Sequence, residues 1–166
     1  MEFIIAIPVF VLSAMLQSTS ISRLPLIHGT ADLSLLVLIA WGIHSRSNLT
    51  WVLALVAGII ISFYSQVTWL TMVIPYFFIV LITRLLHGIF WNSPLLAMLM
   101  MSVIGSMLVH LATLLSLFFK EISFNFSQAF SEIILPSVFI NLLLALPVLF
   151  LVKDLLRWIH PQVENE

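Results

Sequence analysis

The stretch LLAMLMMSVIGSMLVHLATLLSLFF, residues 95–119, contains no acid, lysine or arginine. As a helix rising 1.5 Å per residue, it is long enough to cross a hydrocarbon core about 30 Å thick, with room for tilt. The rest of the chain has the same character. Of 166 residues, 62% are hydrophobic and 8% charged, and the mean hydropathy is +1.21. A soluble domain is about a quarter charged, and so few charges could not cover a core this large. The composition excludes a cytosolic enzyme, a secreted domain and a disordered chain. What remains is an all-α integral membrane bundle of about six transmembrane helices. It forms one domain over residues 1–166, with a polar C-terminal tail from about Lys153.

Working outward from residues 95–119, five more apolar segments can be read. The first runs from Phe3 to Ile21 and contains Pro8. With no positive region ahead of it and no small-x-small cleavage site, it reads as an uncleaved helix. A connector from Ser22 to Thr30 leads to a second segment, Ala31 to Ile43, too short to span without its flanks. Thr30 is placed to cap that helix, and Asp32 would sit well at its positive end. The third segment runs from Leu49 to Tyr64 and the fourth from Val67 to Phe90, with the turn Trp91 to Pro94 closing it. After residues 95–119, the stretch Lys120 to Ser131 is the longest non-apolar one, and Phe124, Phe126 and Phe130 give it an interfacial look. The sixth segment spans Ile133 to Val152, with Pro136 and Pro147 inside.

Six crossings put both termini on one side. With the N-terminus inside, Arg46, Arg84, Lys153 and Arg157 lie inside, and Arg23 and Lys120 outside. The positive-inside bias therefore predicts that both termini are cytoplasmic. Trp41, Trp51, Trp69, Trp91 and Trp158 fall near segment ends, where amphipathic rings favour the interface.

The sequence gives little sign of reaction chemistry. With no cysteine, disulfides and thiolate sites are excluded. A net charge of −1 without a basic run leaves no footprint for nucleic acid. No HExxH, GxSxG, Walker motif or close carboxylate pair occurs, so neither an enzyme, a metal site nor a cofactor is expected. Polar side chains inside the apolar segments are the candidates, because each needs a partner there. Ser102, Ser106, His110 and Thr113 share one helix face as a polar track. It could touch a ligand, or serve as hydrogen-bonding glue, with serine and threonine bonded to their own backbone. Ala54, Gly58 and Ser62, four apart, form a small-residue stripe suited to close helix packing. Ser137 and Asn141 are spaced the same way, and Asn141 is expected to bond across to a neighbouring helix. Asp32 reads as a helix-end residue or as a contact for a partner protein at the outer face.

Several short stretches resemble the MreD family of rod-shape-determining membrane proteins. They are Leu16-Gln17-Ser18-Thr19, Ala31-Asp32-Leu33, Leu135-Pro136-Ser137 with Asn141, and Ala145-Leu146-Pro147. The resemblance covers nearly the whole chain in order. The departures are Ser62, where the family often has an acid, and a missing loop glycine between Tyr64 and Trp69. The resemblance implies a non-enzymatic scaffold of the bacterial elongation complex, supporting peptidoglycan synthesis and cell shape. Its implied partner is the single-pass protein MreC. Through MreC it would reach RodA, a class B penicillin-binding transpeptidase and MreB. In outline the bundle is also similar to the substrate-binding subunit of energy-coupling-factor transporters. Those subunits usually dock through an AxxxA stripe on the first helix. Here Ala6 and Ala14 are eight apart with Phe10 between them.

Overall fold

A computed structural model of the chain describes residues 2–17, 29–45, 48–65, 68–86 and 93–159. Within them are six helices: α1 (Glu2–Leu16), α2 (Leu33–His44), α3 (Leu49–Ser65), α4 (Trp69–Leu86), α5 (Pro94–Phe119) and α6 (Phe126–Ile159). By length and composition α4, α5 and α6 can each cross a membrane, and α1, α2 and α3 contribute shorter apolar helices. The architecture is that of an all-α multi-pass membrane protein. Most of the connector Ser22 to Thr30, with Arg23, lies outside the described residues. So do Arg46, the turn at Trp91 and Asn92, and the chain from His160 onward.

The shortest helix occupies the centre. α2, about 18 Å long at 1.5 Å per residue, packs against each of the other five. Every residue from Ser34 to Gly42 is buried. A helix apolar on all sides needs neighbours on all sides, and this one has them. Leu35, Leu36, Leu38, Ile39 and Trp41 form the middle of the core, joined by Phe10 from α1, Leu53 from α3, Tyr76 and Ile79 from α4, and Met98 and Met101 from α5.

α3 and α4 meet at the small-residue stripe. Ala54 and Ser62 are buried, and a Cβ on Gly58 would fall 2.8 Å from the Val73 Cα. The missing side chain is what lets the two backbones come this close. Ser62 Oγ donates to the Ile59 carbonyl at 2.6 Å, so its polar group is satisfied within its own helix.

Both bounds of the last helix differ from those read in the sequence. The last helix begins at Phe126 rather than Ile133, because Asn125 caps it: Asn125 Oδ1 accepts from the Ser127 and Gln128 backbone N–H groups at 3.0 and 3.4 Å. It also continues to Ile159 instead of giving way to a tail at Lys153. Lys153, half-buried, and the exposed Asp154 and Arg157 are polar residues of a helix end, with Asp154 and Arg157 in contact at 4.0 Å. Inside α6, residues Phe130–Ile134 form a π turn. Pro136 follows one residue later and has no N–H to continue the ladder, so the wider turn falls where that ladder is interrupted. α5 ends at Lys120 in the reverse arrangement. Ile122 N–H bonds the Leu117 carbonyl at 3.1 Å and Glu121 N–H that of Phe118 at 3.0 Å, with Glu121 at φ 57°.

Candidate functional site

The polar residues gather where α2 begins. Asp32, not Thr30, is its N-cap: Asp32 Oδ1 accepts from the Leu35 backbone N–H at 3.0 Å. The same oxygen accepts from the Tyr76 hydroxyl of α4 at 2.8 Å. Asn141 of α6 holds the other side of the residue, its Oδ1 accepting the Asp32 backbone N–H at 2.8 Å. The Asn141 amide then donates to Ser106 Oγ of α5 at 2.8 Å. Ser106 passes the bonding on to the Ser102 carbonyl at 2.7 Å. Four helices are thus joined through one connected set of buried hydrogen bonds, where an unpaired member would be costly.

The extended residues before α2 are fastened to α6 as well. Thr30 N–H bonds Ser137 Oγ at 2.9 Å, and Thr30 lies two residues ahead of the N-cap. Ser137 in turn donates to the Ile133 carbonyl at 2.6 Å. Gly29 lies against Pro136 so closely that a Cβ there would sit 2.7 Å from the proline carbonyl carbon. On the other flank, Ser13 of α1 and Ser34 of α2 bond through their hydroxyls at 3.0 Å.

Beside this network is a cavity of about 240 Å³. It is bounded by Gln17 at the end of α1, Thr30 and Asp32, Ile61 and Ser65 of α3 and Met72 of α4. Ser106, Val109, His110 and Thr113 of α5 and Ile133 and Asn141 of α6 complete it. The ends of α1 and α3 and the starts of α2 and α4 therefore share one end of the bundle, as successive antiparallel crossings require. Were both termini cytoplasmic, this would be the outer end.

The structure brings together most of the polar residues singled out above. Ser106, His110 and Thr113 face the cavity, whereas Ser102 is buried and donates to the Leu99 carbonyl at 2.8 Å. Thr113 Oγ1 donates to the Val109 carbonyl at 2.9 Å. Asp32, at 9% exposure, lies below the surface, so anything touching it would have to come through the cavity. His110, whose segment seemed to hold no acid for it, lines the same cavity as Asp32. Tyr76 and Gly29 carry no signal in the sequence that singles them out. Among the described residues no group of three or more His, Asp or Glu is placed to hold a metal ion. Comparison with family models, with curated proteins and with solved structures gives no match.

Proposed function

We propose that this protein is a non-enzymatic membrane scaffold of the bacterial elongation complex, of the MreD kind, and that it binds an MreC-like single-pass protein. In this reading RodA, a class B penicillin-binding transpeptidase and MreB are reached through that partner, at the cytoplasmic (inner) membrane. One observation supports it above the others. The stretches that carry the resemblance are far apart in sequence but contribute to one place. Gln17, Asp32 and Asn141 line the same cavity, Asp32 and Asn141 bond directly, and Ser137 holds Thr30.

The test is purification of the tagged chain from its native membrane, with identification of what accompanies it. A stoichiometric single-pass protein of the MreC type is expected. His110→Ala should leave that recovery unchanged, since one imidazole at a cavity edge contributes little to a large interface. Recovery of an ATPase pair without a single-pass partner would contradict the scaffold.

That second outcome belongs to a transporter subunit, the reading favoured by a polar cavity within the bundle. Against it stands the first helix. Ala6, Phe10 and Ala14 are 0%, 0% and 2% exposed and belong to the bundle's own core. The face on which such a subunit would dock is covered by the chain itself.

A further inference from the structure

We propose that the cavity at the start of α2 is a binding site for a primary ammonium group. The inference rests on the lining alone and holds whichever partner the bundle has.

The polar lining consists mainly of acceptors. Ser65, Ser106 and Thr113 each donate their hydroxyl hydrogen to a backbone carbonyl of their own helix, at 2.8, 2.7 and 2.9 Å. What a hydroxyl so engaged can still offer is a lone pair. Gln17 adds an amide oxygen that is buried and has no donor among the described residues. Asp32 adds a carboxylate. Its two bonds come from neutral donors, the Leu35 N–H and the Tyr76 hydroxyl, and no ion pair to it occurs among the described residues. Among the described residues no lysine or arginine lines the cavity. A buried carboxylate without a counter-charge is costly, and a cation that can also donate hydrogen bonds relieves both deficits at once.

A primary ammonium matches this set. It carries three N–H donors and a single positive charge. A quaternary ammonium has the charge but no donor, and an anion would find no fixed positive charge among the described lining residues. The volume is small beside the roughly 300–1,000 Å³ of common ligand pockets, which selects a short amine or the head of a larger amphiphile. His110 also lines the cavity and can present a donor or an acceptor to the rest of the molecule. A free amine and an aminophospholipid headgroup carry the same recognised group.

The two sources are separable by experiment. Thermal unfolding of the purified full chain in an uncharged detergent is followed against ethanolamine and against tetramethylammonium. In parallel, native mass spectrometry is run on the chain released from nanodiscs of equal phosphatidylethanolamine and phosphatidylcholine. A saturable rise in Tm with ethanolamine and none with tetramethylammonium supports a free amine as ligand. Selective retention of phosphatidylethanolamine supports the lipid headgroup. In either case Gln17→Leu should weaken binding about tenfold. It should leave the ligand-free Tm nearly unchanged, because this oxygen gives up no bond within the described bundle. Equal responses to the two amines together with equal retention of the two lipids overturn the proposal, as does binding that Gln17→Leu leaves intact. The wild-type comparisons decide the matter even if the variant does not fold.

Discussion

The two ends of α2 are held by different forces. At its N-terminal end Asp32 is fixed by directional hydrogen bonds to α4 and α6. Toward its C-terminal end the helix is held by shape. Trp41 is fully buried, its indole N–H meets no acceptor among the described residues, and Gly42 lies against Thr83 and Thr50. Beyond the core on that side, the Trp51 and Phe77 rings meet at a tilt with centroids 5.6 Å apart, and Arg84 lies 5.4 Å over the Trp51 ring. In hydrocarbon, apolar surface gives helices little reason to associate, so close packing and interhelical hydrogen bonds must do it. This short helix uses packing at one end and bonding at the other, and the polar cavity lies at the bonded end.

Substitutions at the two ends should therefore fail in different ways. The largest loss is expected at the packed end. Trp41→Ala removes the largest buried side chain of the core and should cost about 3–5 kcal/mol, read as a lowered Tm in detergent. If it costs no more than an exposed substitution such as Trp158→Ala, the packed end does not hold the helix. Asn141→Leu at the bonded end keeps volume but leaves the Asp32 N–H unpaired, at about 1–3 kcal/mol. Its loss should shrink when Ser106→Ala is already present, because the Asn141 amide bonds the Ser106 hydroxyl. Strict additivity would mean the bonds are incidental. Ser137→Ala should cost least, about 0.5–1.5 kcal/mol, since it frees only the Thr30 N–H of the extended entry. A loss as large as that of Asn141→Leu would move the centre of the network from Asp32 to the connector.

This contrast also explains how much could be read in advance. Apolar runs fix where helices can be, so residues 49–65 and 94–119 were legible almost to the residue. α6 was not, because the polar run from Ser127 to Glu132 hides a helix that depends on the Asn125 cap and a π turn. The network members Asp32, Ser106, Ser137 and Asn141 stood out one by one as polar groups in apolar surroundings. Their pairing did not, since helical periodicity relates residues three or four apart, while Asp32 and Asn141 are 109 apart. Tyr76 was hidden for another reason. A tyrosine in an apolar run looks like any other aromatic until an acceptor is found for its hydroxyl. Glycine is legible as a packing residue only when other small residues keep register with it. Gly58 had Ala54 and Ser62, and Gly29 had none.

The central claim is a membrane-crossing bundle whose polar end faces outward and whose packed end faces the cytoplasm. The chain has no native cysteine, so single cysteines report sidedness without interference. The decisive measurement is labelling of intact cells with a membrane-impermeant maleimide at Ser123→Cys, in the exposed turn between α5 and α6, and at Ser45→Cys, just past the end of α2. The account predicts that position 123 is labelled in intact cells and position 45 only after the membrane is opened. Labelling of position 45 from outside, with position 123 protected, would contradict it.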